Sequence, residues 1–155
     1  MKFVGIDYSM TSPSICLHDT MEGRVEFHYL TSVKKYEGEY KLKDGWSMQG
    51  HAMLEWSCQE ERFNRISDWA LWIIRSKLLG APQLITIEGY AMGAKGLVFN
   101  IAENTGLLKH KLWNANYKFC TPAPSAIKKF ATTKGNANKE KMQESFIEQT
   151  GVDIK

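Results

Sequence analysis

The sequence is poor in the residues that build metal cages, nucleotide loops and membrane spans. Its three cysteines, Cys16, Cys58 and Cys120, are scattered without a CxxC pair. One falls in each of three elements, so buried free thiols are expected rather than disulfides or zinc ligands. The four histidines are equally dispersed, which argues against a histidine-rich metal site. No apolar run reaches the roughly 18 residues of a membrane span, and Met1 leads almost at once into a strand pattern instead of a secretory leader. An intracellular, cytoplasmic protein with no membrane partner is the expectation. Walker A, GxGxxG, GxSxG and HExxH motifs are all missing, which removes the commonest nucleotide-binding, serine-hydrolase and zinc-protease templates. There is no internal repeat and no low-complexity segment.

What is present fits one folded unit. A chain of 155 residues, 43% hydrophobic and 24% charged, is sized for a single domain with an ordinary core. The net charge of +3 is unevenly spread. Residues 1–104 carry 11 basic and 13 acidic side chains, whereas residues 105–155 carry 9 lysines against 4 acids. That asymmetry suits a face for a polyanion, although a solvated lysine surface would look the same.

Two stretches organise the rest. Leu84–Gly89 is an apolar run that ends in Glu88, and Phe3–Tyr8 is another that ends in Asp7. Both read as short buried strands delivering an acid at their exit. Ser14–Asp19 and Arg24–Thr31 read as further strands, making an antiparallel meander with the first. In the third, Val25, Phe27 and Tyr29 alternate with Glu26 and His28, which places His28 on the exposed phase. Ser32–Met53 lacks periodicity and reads as a long excursion or insertion. Its Lys34, Lys35, Lys41, Lys43, Tyr36, Tyr40 and Trp46 could meet a nucleic acid or form only a solvated insertion.

A helix is expected from between Leu54 and Glu60, with a stripe of Phe63, Ile66, Ala70, Ile73 and Leu78 widened by Trp69 and Ile74. Gly80-Ala81-Pro82 stops it. After the strand ending at Glu88 comes a glycine-containing loop with Tyr90, Met92 and Lys95. A second helix over about Phe99–Trp113 then packs through Ile101, Thr105, Leu108 and Leu112. Gly106 in its middle costs about 1 kcal/mol of helix propensity, which a close approach to the sheet would explain. Asn116–Thr121 reads as a strand, Ser125 as the cap of a short helix over Ala126–Phe130, and the last helix runs from near Asn138 to Gly151. The order is βββαβαβα: a mixed sheet, antiparallel in strands 1–3 and parallel afterwards, with helices on its faces.

If the first and fourth strands are neighbours, Asp7 and Glu88 face each other. Like charges so placed call for a proton or a divalent cation between them. Two acids without a nearby histidine or cysteine form a hard-oxygen site, suited to Mg²⁺ with Mn²⁺ as a substitute. Such ions serve phosphoryl transfer, and the lysines downstream would hold a phosphate backbone. A two-carboxylate glycosidase would leave the lysine-rich C-terminal third without a role. An actin-like or sugar-kinase ATPase would want glycines where Tyr8-Ser9-Met10-Thr11-Ser12 stands.

These motifs together resemble the RuvC-like Holliday junction resolvases of the ribonuclease H superfamily, most closely the bacteriophage type. The matching segments are Phe3-Val-Gly-Ile-Asp7, Ile85-Thr-Ile-Glu88, and Thr121-Pro-Ala-Pro-Ser-Ala-Ile-Lys128 with Lys134-Gly-Asn-Ala-Asn-Lys139. The resemblance implies a ribonuclease H-like fold with helices on both faces of the sheet. It also implies a homodimer that hydrolyses phosphodiester bonds in branched DNA with Mg²⁺. Asp7 and Glu88 would be metal ligands, and Lys139 would join them in catalysis. Lys128, Lys134, Lys139, Tyr90 and Lys95 would contact DNA. The pattern departs from the family after Asp7, where proline-glycine is replaced by Tyr8-Ser9, and in the length of Ser32–Met53. The family also takes one or two further acids from a helix beyond the last crossover. This chain reaches only Asp153, just past Gly151, which implies a C-terminally truncated form or an incomplete enzyme. A catalytically silent branched-DNA-binding module and a nuclease for RNA–DNA hybrids are the alternatives.

Overall fold

The computed structural model describes residues 1–90, 96 and 98–154. Three strands open the chain as expected: β1 (Lys2–Asp7), β2 (Ser14–Asp19) and β3 (Arg24–Thr31). They pair antiparallel in sequence, with Asp7 opposite Ser14 and Ser14 opposite Tyr29. The next elements are β4 (Gly38–Lys41) and β5 (Ser47–Ala52), then helix α1 (Gln59–Lys77) and strand β6 (Leu84–Ile87). Helix α2 (Val98–Asn114), strand β7 (Phe119–Cys120), α3 (Pro124–Thr132) and α4 (Lys139–Thr150) complete the fold. The seven strands lie in the order β4-β5-β3-β2-β1-β6-β7, with β6 and β7 parallel to β1.

One face of this sheet is closed by α1 and α2. Val4, Ile6, Ile15, Leu17, Leu30, Ile85 and Ile87 project from the strands into one cluster with Ile66, Ala70, Ile73, Ile74, Leu108 and Leu112. The helical stripe read from the sequence is this contact, and its burial drives both helices onto the sheet. The opposite face is covered differently. Phe146 of α4 packs edge-on against Phe27 at a ring separation of 6.3 Å and tilted against Trp46 at 6.1 Å. Asn138 caps α4 by accepting from the Lys141 amide, and Gly151 ends it with a left-handed φ of 69°.

Several expectations are corrected. Ser32–Met53 is not an excursion outside the sheet. It supplies β4 and β5, and β5 inserts beside β3 in parallel register while β4 pairs antiparallel on its outer side. The missing periodicity has a physical cause: β4 is exposed throughout, and β5 has glycine and polar residues on short spans. His28 is 2% exposed, not on a solvated phase. Both faces of β3 are covered, so alternation there does not separate inside from outside. The buried imidazole is satisfied on both sides, Nδ1 against His51 Nε2 at 3.1 Å and Nε2 against Glu26 at 3.2 Å. Of the three thiols, Cys58 and Cys120 are exposed and Cys16 is only partly covered. Gly106 makes no close approach, since a Cβ there would meet open space. Ala123, not Ser125, is the N-cap position of α3, with Pro124 opening the helix where its missing N–H is harmless.

Candidate phosphodiester site at the carboxylate rim

Parallel pairing of β1 with β6 decides the geometry. Ile6 is opposite Ile87, and the Glu88 amide donates to the Ile6 carbonyl at 2.9 Å. One residue further on each strand, Asp7 and Glu88 therefore leave the sheet side by side, at the carboxyl-terminal ends of adjacent parallel strands. Crevices at such ends are where open α/β sheets commonly take ligands. The two acids share both cavities that flank them, of about 560 and 600 Å³.

The backbone around Glu88 is tightly drawn in. Gly89 donates to the Pro122 carbonyl at 2.8 Å, and a Cβ on Gly89 would lie 2.9 Å from that same oxygen. Only glycine lets the segment after β7 come this close, and that segment carries α3 with Lys128. Gly135 permits a similar approach after α3. A Cβ there would sit 3.2 Å from the Ser125 carbonyl, so the α3–α4 turn folds back against the start of α3, and α4 then opens with Lys139, whose charge acts on Asp7.

Electrostatics bind the four groups together. Burial raises the Asp7 carboxyl above its ordinary pKa, and Lys139 opposes this by favouring the charged form. Burial also raises Glu88, the Asp7 charge raises it further, and Lys128 pulls it down. Asp7, Glu88, Lys128 and Lys139 thus form two acid–lysine couples within electrostatic reach at one rim. The donor set suits a hard divalent cation, since oxygen ligands held at raised pKa gain most from a positive charge placed between them.

The remaining expected residues divide. Tyr90 lines the 600 Å³ cavity, 41% exposed, with the Lys109 ammonium 5.1 Å from its ring centre. Lys134 sits exposed in the α3–α4 turn and borders neither flanking cavity. Lys95 and Met92 lie outside the described residues. Asp153 follows α4 and borders neither cavity. Among the described residues, no group of three or more His, Cys, Asp or Glu side chains is gathered to hold a metal ion.

Two residues that line these cavities escaped the sequence reading. Arg62 of α1 reaches the 600 Å³ cavity, donates to the Met10 carbonyl at 2.6 Å and stacks over Trp56 at 4.4 Å. It ties the turn after β1 to α1, and nothing local in the sequence marks it. Phe130 of α3, 92% exposed, borders the other cavity with Ile127 and Met142. The i, i+3 spacing of Ile127 and Phe130 was the available signal.

Neither a protein-family model nor a curated protein sequence matches this chain. Among solved structures, Thermus thermophilus RuvC is similar with a TM-score of 0.62 and 14% identity, over 97% of this chain and 81% of that one. The T. thermophilus RuvC structure in complex with Holliday junction substrate is similar with a TM-score of 0.63 and 15% identity, over 97% and 79%. With its mixed sheet and flanking helices, the chain has the ribonuclease H-like fold of RuvC.

Proposed function

We propose that the carboxylate rim binds the phosphodiester backbone of branched DNA, with Asp7 and Glu88 as ligands for Mg²⁺ or Mn²⁺. The observation that carries this reading is that Asp7 and Glu88 leave adjacent parallel strands side by side at one end of a RuvC-like sheet, with Lys139 and Lys128 within electrostatic reach of them. Lys139 and Lys128 offer N–H donors and positive charge to phosphate oxygens, and Tyr90 offers a face for an unstacked base. Lys134 extends the basic surface, and Lys95 would contact DNA on the strength of the family resemblance alone.

Two forms of the reading differ in what happens after binding. For the described residues alone, the better supported form is a branched-DNA-binding module with an incomplete metal site, because two carboxylates stand without a third. The second form is a Mg²⁺-dependent structure-selective endonuclease. Its support is that the Asp7 charge disfavours the charged form of Glu88 at the shared rim, a repulsion that a divalent cation would relieve further than Lys128 does. A bound divalent ion would activate a water and neutralise the leaving oxygen. Asp7 and Glu88 would orient it, and Lys139 would steady the charge building on the phosphate. In either form the protein acts as a homodimer, through the outer face of α2, where Phe99 and Trp113 are exposed at either end with Gly106 bare between them.

Labelled four-way, forked and linear duplex DNA, presented with Mg²⁺, Mn²⁺ or chelator, tests this. Branched DNA should be bound in preference to duplex, and Lys128→Ala with Lys139→Ala should weaken that binding. Cleavage abolished by Asp7→Asn or Glu88→Gln selects the endonuclease, and binding without cleavage selects the module. Equal affinity for branched and linear DNA would end the proposal.

A further inference from the structure

The two strands contributed by Ser32–Met53 carry a turn at the same end of the sheet as the carboxylates. Registers place it. Asp7 is opposite Ser14, Ser14 is opposite Tyr29, and Tyr29 is opposite Gly50. Residues paired in this way share a face, so Asp7, Ser14, Tyr29 and Gly50 form one row across the sheet at its rim. The 3₁₀ turn Lys34–Tyr36 lies on that row, above Gly50. Three strand spacings of about 4.8 Å separate Asp7 from Gly50, roughly 14 Å in all. A duplex rises about 3.4 Å per base pair, so this span is about four base pairs.

The turn is held firmly and presented outward. The Tyr29 hydroxyl donates to the Tyr36 carbonyl at 2.7 Å, and the Tyr40 hydroxyl donates to the Lys35 carbonyl at 3.0 Å. A Cβ on Gly50 would come within 1.9 Å of the Tyr36 carbonyl oxygen, so the glycine is what lets the turn sit down on β5. Despite this anchoring no side chain of the turn is buried. Lys34 and Lys35 are exposed, Tyr36 is 50% exposed, and the Lys35 ammonium lies 4.7 Å from the Tyr36 ring centre. Charge alone would not single out this segment, because Glu37, Glu39 and Asp44 nearly balance Lys34, Lys35, Lys41 and Lys43. Placement does, because the two adjacent lysines stand on the carboxylate row, where β4 starts, while Lys41 and Lys43 come at its other end.

We propose that the Lys34–Tyr36 turn is a second backbone contact for the DNA arm that leaves the carboxylate rim, with Lys34 and Lys35 each meeting a phosphate. This rests on the branched-DNA reading and extends its footprint across the added strands.

Anisotropy titrations of a four-way junction with full-turn arms, run across a salt series, test it. Each lost phosphate contact lowers the slope of log affinity against log salt by about 0.9, so K34A/K35A should lower it by about two. K77A/K118A removes two charges at the opposite end of the sheet and should leave the slope unchanged. Gly50→Ala pushes the turn off β5 without altering charge, and should weaken binding in a protein whose thermal melt stays cooperative. Equal slopes for K34A/K35A and K77A/K118A, or undiminished affinity in folded Gly50→Ala, would overturn the inference. If the wild type itself shows no preference for branched DNA, the broader reading fails. If Lys128→Ala and Lys139→Ala weaken binding while K34A/K35A does not, only the second contact fails.

Discussion

Asp7 and Glu88 are held where their charged forms are least comfortable. Each has a pKa raised first by burial, and Glu88 is raised further by Asp7. The native state therefore keeps protons that the unfolded chain has already released, so these groups subtract stability as pH climbs past the ordinary carboxylate range near 4. Asp7→Asn or Glu88→Gln should raise the midpoint of thermal unfolding at pH 7 and have little effect near pH 3. The gain should stay within roughly 1 kcal/mol, because Asp7, although crowded by neighbouring protein atoms, keeps much of its surface in water and its repulsion is screened. Mg²⁺ should narrow the gap by stabilising the wild type alone. Calorimetry across pH, with and without Mg²⁺, checks both. This pair was legible in the sequence because an acid at the exit of an apolar strand is a local signal. Lys128 and Lys139 were readable only through resemblance, and Arg62 not at all, since its place depends on how α1 crosses β1.

At the scale of elements, β5 is fastened to β3 by more than its ladder. Glu26, His28 and His51 form a hydrogen-bonded chain across the two strands, with Trp69 and Trp72 packed against the His51 ring. Burial keeps both imidazoles neutral. It lowers His28, where Glu26 works the other way and Lys77 adds to the lowering, and it brings His51 down to about 4 with help from His28 and Lys77. Here the unfolded chain takes up protons first, so stability should fall as pH drops from about 6.5 towards 4. The loss should amount to about 1–2 kcal/mol once the partial exposure of His51 is allowed for. Urea unfolding at pH 7 and pH 4.5 measures it, and His51→Gln should remove most of the difference. The sequence hid this element because alternation distinguishes the two faces of a strand only when one of them is wet. On β3 α1 covers one face and α4 the other, and β5 has a bare glycine where a hydrophobic residue would have announced it.

For the whole molecule, the outer face of α2 sets the expected assembly. Phe99 and Trp113 are large rings left in water, and Gly106 between them leaves room for a second backbone to approach. Sedimentation equilibrium should find a dimer, and Phe99→Glu with Trp113→Glu should give folded monomers. A monomeric wild type would remove the dimer from the proposal. The architecture itself was largely foreseeable: three antiparallel strands followed by parallel crossovers need only strand and helix periods and right-handed connections. The seven-strand width was not, because a strand pair with little apolar content leaves no periodic trace.

That width has a further consequence. β4 was laid down first in the chain, yet β5 lies inside it, between β4 and β3. The late strand covers the hydrogen-bonding edge of β3, and a short lysine- and glutamate-bearing strand becomes the boundary with water. Residues 32–53 are consequently not an ornament that could be trimmed to recover a plainer sheet. Cutting them away would uncover the flank of a strand built from Val25, Phe27, Tyr29 and Leu30, and invite one molecule to zip onto the next.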